Sequence, residues 1–284
     1  VTFGQSIGEC LEEARRMARE GKVFVHPFDD EDIITGQGTA GLEIFDELPR
    51  PDLVVVPVGG GGLISGIVSA AMAMAPETRI VGVQAASCPS AYEALMTGRI
   101  TQVDGRSSIA DGISVKKIGC LAFDMIQKGV DEIAIVDEEQ IAAAILMLLE
   151  REKILAEGAG AAPLAALMNG SVKIPQGGKT VLVISGGNVD SPLLGRIISQ
   201  GLTLHGRVMR VRIRMADIPG SLSKLLALIA DTKANVLHIY HDRNVRGIPI
   251  YVTHVELELE TRGPAHVKEI TDTLQSAGYE IEGH

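Results

Sequence analysis

Apolar residues recur along this chain in two rhythms. From Gly8 to Gly21 they fall three and four apart, at Leu11, Ala14, Met17 and Ala18, with charges between them and a glycine to close the run. That spacing predicts an amphipathic helix. Four later runs are contiguous instead: Leu53 to Pro57, Arg79 to Gln84, Glu132 to Val136, and Lys179 to Ile184. Short, rich in β-branched residues and bounded by small or polar ones, they read as buried strands. A further short strand is expected from Val23 to Phe28. Helices are expected between the strands: at 33–48, directly after Gly59–Gly62, and at 90–97, 121–127 and 137–152. Asp29, Asp30, Glu31 and Asp32 crowd the start of the 33–48 helix, where carboxylates suit the helix dipole. Gly36, Gly38 and Gly41 lie inside that helix and read as close-packing positions. Asp137 with Gln140 three residues on fits a capping box. The alternation predicts an α/β fold, a mostly parallel sheet with helices on both faces.

After Gly206 the rhythm changes again. Arg207 to Arg214 alternates strictly, which predicts a half-buried strand with one basic face carrying Arg210, Arg212 and Arg214. The turn Asp217-Ile218-Pro219-Gly220-Ser221-Leu222 leads into a helix with Leu225, Leu226, Leu228 and Ile229 as its core. A strand at 235–243, a turn at 244–247, a strand at 248–260, a helix at 264–278 and a strand at 279–282 follow. The order is βαββαβ, a ferredoxin-like α+β layer. Two domains are therefore expected, residues 1–206 and 207–284, which suits a chain of 284 residues.

A formal net charge of −10 argues against nucleic acid and against anionic membrane surfaces as partners. No apolar run approaches the roughly 20 residues of a membrane helix, and no secretory leader is visible. Cys10, Cys88 and Cys120 are scattered without metal-ligand spacing, which points to a reducing compartment, the cytoplasm. His238 and His241 stand three apart on a strand, so they face opposite sides and make no metal pair. No metal site is expected.

Candidate chemistry gathers at three turns. Leu53 to Pro57 breaks into Val58-Gly59-Gly60-Gly61-Gly62 before a helix. Consecutive glycine N–H groups at a helix N-terminus make a socket for an anion, most often a phosphate. The loop is not a Walker pattern, since no Gly-Lys-Ser/Thr follows, nor the dinucleotide fingerprint in its usual context. At the end of the fourth strand come Ser185-Gly186-Gly187-Asn188. Ligands of open parallel sheets sit beyond the carboxyl ends of strands, so the two turns share one rim. Glu157, in Leu155-Ala156-Glu157-Gly158-Ala159-Gly160, is a carboxylate among small apolar residues. It pays desolvation unless a donor or charge meets it, and reads either as a cap on the helix from Gly158 or as a site residue.

These stretches resemble the pyridoxal-phosphate enzymes of the tryptophan-synthase-β-like fold (fold type II), nearest to threonine ammonia-lyase, with serine racemase a near relative. The resemblance is carried by Pro57–Leu63, Ala156–Gly160 and Ser185–Asn188, and by His26-Pro27-Phe28-Asp29-Asp30 with Gly36-Gln37-Gly38-Thr39. It implies pyridoxal 5'-phosphate as cofactor, its phosphate cradled by Gly59, Gly60, Gly61 and Gly62. It implies Ser185, with Gly186 beside it, at the pyridine nitrogen, and Glu157 near the cofactor. The implied reaction is β-elimination and deamination of L-threonine, or of L-serine, with 2-oxobutanoate and ammonia as the products from threonine. Gly61→Asp is expected to abolish cofactor binding and leave the fold intact. The family's Schiff-base lysine lies in a Ser-x-Lys-x-Arg-Gly motif ahead of the region matching Val1, and no such motif occurs in this sequence. The chain therefore reads as the C-terminal part of an enzyme, inactive alone. Alternatives are a non-catalytic amino-acid-sensing fragment, or a serine dehydratase or racemase of the same fold. Gln84 stands where serine-racemase-like relatives carry a metal-binding carboxylate. Asp217-x-Pro219-Gly220-x-Leu222 resembles the ACT regulatory domain. That resemblance implies a homo-oligomer, a dimer or tetramer, and feedback through Pro219, Gly220, Ser221 and Leu222 by an amino acid such as isoleucine or valine, as in isoleucine biosynthesis.

Overall fold

The computed structural model describes residues 3–4, 7–243 and 249–282. The chain divides into two compact units, Val1–Asp190 and Ser191–His284.

The first unit opens with helix α1 (Ile7–Arg19) and helix α2 (Glu31–Glu47). Then come strand β1 (Leu53–Pro57), helix α3 (Gly62–Met74), strand β2 (Arg79–Ala85) and helix α4 (Ser90–Thr97). A one-turn 3₁₀ segment, Asp111–Ile113, precedes helix α5 (Cys120–Gly129), strand β3 (Glu132–Val136) and helix α6 (Glu138–Met147). A π-helical turn, Leu148–Glu152, leads to helix α7 (Gly158–Met168) and strand β4 (Thr180–Leu182). The four strands form one parallel sheet in the order β3-β2-β1-β4. Every residue of β1 is buried, as a central strand with both faces covered must be. Val54, Val56 and Val58 join Ile64, Ile67, Val68 and Ile126 in the core.

Helices α2 and α3 meet through glycine. A Cβ at Gly66 would collide with the backbone nitrogen of Gly38, and one at Gly41 would stand 2.8 Å from Ala70 Cβ. The packing reading holds for Gly38 and Gly41, while Gly36 faces open space. The capping box is present: Asp137 Oδ1 accepts from Gln140 N at 2.8 Å, and Gln140 Oε1 accepts from Asp137 N at 3.0 Å.

Two local expectations need correction, and a third holds for all but one residue, Asp29. Val23–Phe28 is not a strand: the segment pairs with no other among the described residues, and Val23 and Val25 are 92% and 58% exposed. Strand propensity is a fit to a pleated, half-buried surface, and no such surface meets these side chains. The helix expected at 137–152 is α-helical only to Met147, continues as the π-turn, and ends at Lys153 with φ +61°. The acidic cluster before α2 divides its work. Asp30 caps α2, accepting from Asp32 N at 2.9 Å. Asp29 reaches instead to α5, its two carboxylate oxygens each accepting at 2.9 Å from Cys120 N and Leu121 N.

The second unit holds helix α8 (Ser191–Leu204), strand β5 (Val208–Ala216), helix α9 (Ser221–Asp231), and strands β6 (Asn235–Asp242) and β7 (Val252–Glu260). Helix α10 (Pro264–Ser276) and strand β8 (Glu280–Glu282) complete it. From β5 onward the order is βαββαβ, and the sheet is antiparallel, β6-β7-β5-β8. Alternate residues of β5 and β7 (Val211, Ile213, Val255, Leu257) pack against Leu225 and Ile229 of α9 and Ile270 and Leu274 of α10. The opposite face is not simply basic. Arg210 pairs with Glu258 at 3.1 Å, Arg212 with Glu256 at 3.2 Å and Arg214 with Glu280 at 3.5 Å, so strand pairing neutralises each arginine. The turn expected at 244–247 and the strand start at Ile248 lie outside the described residues.

Candidate cofactor site

The parallel sheet delivers its turns to one edge. β1 ends at Pro57, and Val58 continues the ladder by donating its N–H to Val83 O at 2.8 Å. The chain then turns through Gly59–Gly61 into α3, with Gly61 at φ +98° as the N-cap. Among the described residues, none of the N–H groups from Gly59 to Ile64 has an acceptor in the chain. The first to find one is Ser65 N, on Gly61 O at 3.0 Å. Gly60, Gly61, Gly62 and Ile64 are buried. Buried amides without acceptors are rare and costly. Here six unpaired amides in succession, four of them on buried residues, lead into a helix of 13 residues, whose dipole adds positive potential at the same point. A small oxyanion satisfies both demands, so the turn fits a phosphate.

The glycines are also required by the protein itself. A Cβ at Gly59 would lie 3.0 Å from Gly112 O, one at Gly61 2.5 Å from Ala122 Cβ, and one at Gly62 2.9 Å from Phe28 O; one at Gly60 would enter the Phe28 ring. This corrects the expectation for Gly61→Asp. With a left-handed backbone and Ala122 against it, that substitution disturbs the fold as well as the anion socket.

β4 runs parallel to β1 with Leu182 opposite Val55, and Val183 N extends the pairing to Val55 O at 3.0 Å. Counting on, Ser185 comes level with Val58, one residue before the glycine turn. Ser185 is exposed and Gly186 half-buried. Glu157 is half-buried and occupies the N-cap of α7, yet its side chain caps nothing there. Its Oε2 accepts from Asn188 N at 3.1 Å, and its own N–H donates to Gly186 O at 3.1 Å. The capping reading of Glu157 is therefore replaced: the residue ties α7 to the Ser185–Asn188 turn. A Cβ at Gly186 would stand 2.6 Å from Glu157 Oε1, and one at Gly160 2.8 Å from Gly186 O, so both glycines are what let these segments touch.

Sequence reasoning missed three members of this assembly. Gly112, in the 3₁₀ turn, bridges the two halves of the rim: its carbonyl faces Gly59, and a Cβ on it would stand 3.4 Å from Glu157 Oε1. Its only sequence signal is the run of small residues around it. Phe28 roofs Gly60, and the local turn is held by His26, whose Nδ1 accepts from Phe28 N at 3.3 Å and Asp29 N at 2.9 Å. Burial pushes the His26 pKa below the ordinary histidine value, aided by Arg15 and opposed by Asp29 and Asp30. The third is Gln84, fully buried at the end of β2. Its Nε2 donates to Val58 O at 3.1 Å, and its Oε1 accepts from Ala91 N at 2.8 Å and Tyr92 N at 2.9 Å.

Residues 1–186 match the family described as pyridoxal-phosphate dependent enzyme. The chain belongs to that family. Over 283 residues, 99% of its length, it is 48% identical to an L-threonine ammonia-lyase of Thermotoga maritima and 46% identical to one of Geobacter sulfurreducens, and it spans 70% of each. Among solved structures it is similar to a threonine deaminase of T.th., with 38% identity and a TM-score of 0.60 over 63% of this chain and 62% of that one. It is also similar to maize serine racemase, with 32% identity and a TM-score of 0.63 over 70% and 63%. The chain thus spans less than two thirds of these two solved relatives. The fold is fold type II, and the cofactor of this pyridoxal-phosphate family is pyridoxal phosphate, in keeping with the six unpaired amides of the glycine turn. Among the described residues no three or more His, Cys, Asp or Glu group to hold a metal ion, and no helix is long and apolar enough to cross a membrane.

Proposed function

We propose that this chain forms the cofactor-holding part of a cytoplasmic L-threonine ammonia-lyase, which removes the β-hydroxyl and the amino group of L-threonine to give 2-oxobutanoate and ammonia. The single observation that carries the reading is the succession of six unpaired amides, four of them on buried residues, at the head of α3. Its support in kinship is the 46–48% identity to two L-threonine ammonia-lyases. Pyridoxal phosphate supplies a conjugated ring that spreads the charge left when the α-proton departs.

The residues of this chain hold and tune that ring. The amides of Gly59, Gly60, Gly61 and Gly62 would hold the phosphate and so fix the cofactor in place. Ser185 offers one hydroxyl to the pyridine nitrogen. A neutral hydroxyl does not keep that nitrogen protonated as an aspartate would, which tempers the electron sink and favours β-elimination. Glu157, fixed by Asn188 N, sets the height of the Ser185–Gly186 turn relative to α7. In the second unit, Gly220 caps α9 in a left-handed conformation (φ +91°) and follows Pro219 at the exposed start of that helix. That turn, with Ser221 and Leu222, is the place for an amino-acid effector such as isoleucine or valine in an ACT-like module of a homo-oligomer.

Titration of the chain with pyridoxal phosphate, followed by the cofactor's visible absorbance, tests the reading. Saturable binding displaced by inorganic phosphate is the expected result, and no binding overturns it. A second reading, serine dehydratase or racemase, draws on the likeness to maize serine racemase. Release of 2-oxobutanoate from L-threonine, against pyruvate or D-serine from L-serine, by the full enzyme, decides between them.

A further inference from the structure

An amide socket works only if its N–H groups point inward, and a peptide N–H is aimed by the carbonyl across its own plane. In a trans peptide the two point in opposite directions. Three carbonyls at the glycine turn are held, one by α3 itself and two from outside. Gly61 O takes the N–H of Ser65 at 3.0 Å and Gly60 O that of Gly119 at 3.1 Å. Val58 O, which shares a peptide plane with Gly59 N, takes the amide of Gln84 at 3.1 Å. The first two grips are backbone to backbone. Gln84 provides the only side-chain grip on a carbonyl of the turn among the described residues. Its position is over-determined, because the side chain is wholly buried and its oxygen is held by the first N–H groups of α4, Ala91 and Tyr92. Val58 is anchored on its other side as well, by its N–H to Val83 O at 2.8 Å. The Val58–Gly59 peptide is thus held through its carbonyl, and the peptide before it through Val58 N, so Gly59 N is turned away from Gln84.

We propose that Gln84 is a positioning residue for the cofactor phosphate: by holding Val58 O it aims the first amide of the socket, and by its oxygen it couples that aim to α4. The inference rests on the reading of the glycine turn as the phosphate site. A carboxamide is required because the position must donate to Val58 and accept from α4 at once. A carboxylate would accept from Ala91 and Tyr92 and repel Val58 O.

Gln84→Glu separates the two duties, since it keeps the cap on α4 and removes the donor to the turn. Gln84→Leu removes both and introduces no buried charge. The probes are pyridoxal phosphate and pyridoxal, which lacks the phosphate, each titrated against the whole chain. Both variants should weaken pyridoxal phosphate about tenfold, the effect of one lost and unreplaced buried hydrogen bond, and leave pyridoxal affinity unchanged. Phosphorus NMR of the bound cofactor should show its resonance moved toward that of the free compound. Equal weakening of both probes overturns the proposal, as does wild-type affinity in Gln84→Glu. If Gln84→Glu does not fold, the comparison of probes in Gln84→Leu decides alone. Failure of the wild-type chain to bind pyridoxal phosphate would instead overturn the reading of the site itself.

Discussion

His26 shows how one protonation state holds a corner of the site. Its Nδ1 accepts two backbone N–H groups, and those bonds place Phe28 over Gly60 and Asp29 at the head of α5. Only a ring without a proton on Nδ1 can accept them. The folded protein holds the His26 pKa below its usual value, chiefly through burial. Between that lowered value and the ordinary one near 6.5, the unfolded chain binds more protons than the folded one. The His26 contribution is therefore complete above about pH 6.5 and is lost as pH falls below it. Urea unfolding from pH 8 to pH 5 should show stability falling on the acid side, and His26→Gln, which keeps an acceptor and cannot titrate, should flatten that fall. An unchanged slope in the variant would remove His26 as its source. The same corner marks a limit of sequence reading. The His-Pro-Phe-Asp-Asp stretch is visible as a pattern, but that Asp29 serves a helix 91 residues away depends on the tertiary path of the chain.

Among the elements, the contact of α2 with α3 is the most exacting. Gly66 presses on the backbone of Gly38 and on Ile34 O, which is 2.6 Å from where a Cβ would stand. Backbone cannot yield as a side-chain tip can. Gly66→Ala should cost about 1–3 kcal/mol in urea unfolding, whereas Gly36→Ala, with nothing within 4 Å, should be neutral or slightly stabilising through helix propensity. Parity between the two would show that the helices part freely. Elements were legible where local chemistry decides them. Strand β3 and helix α4 have the bounds that the pattern predicts, and so has the Asp137–Gln140 capping box. The π-turn at Leu148–Glu152 was not legible, since its residues are ordinary helix formers and nothing local marks the wider turn. Gln84 was legible only as the end of a strand run, standing where serine-racemase-like relatives carry a carboxylate; its three hydrogen bonds were not.

At the scale of the molecule, the two units bury separate cores, one around β1 and one between β5, β7 and their helices. Ligand binding stabilises what it touches, by about 2.7 kcal/mol when the ligand stands at a hundred times its dissociation constant. Hydrogen exchange should therefore slow at 59–64 and 185–188 on adding pyridoxal phosphate, while the β5 and β7 amides keep their rates. Protection that spreads equally through 208–260, or that spares 59–64, would contradict a site confined to the first unit. The outer face of β5 belongs to this scale too. Its pattern read alone gives a strand with one basic, exposed face, and only the sheet order, which places Glu256, Glu258 and Glu280 beside the arginines, shows the charges cancelled within the protein.

The succession of unpaired amides has a practical side. Donors that lack an acceptor of their own do not ask whether an incoming oxyanion carries a ring, so sulfate from a precipitation step or phosphate from a buffer will compete for the same place. Reconstitution in chloride with a zwitterionic buffer should reach full loading at lower coenzyme concentration than the same experiment in phosphate-buffered saline.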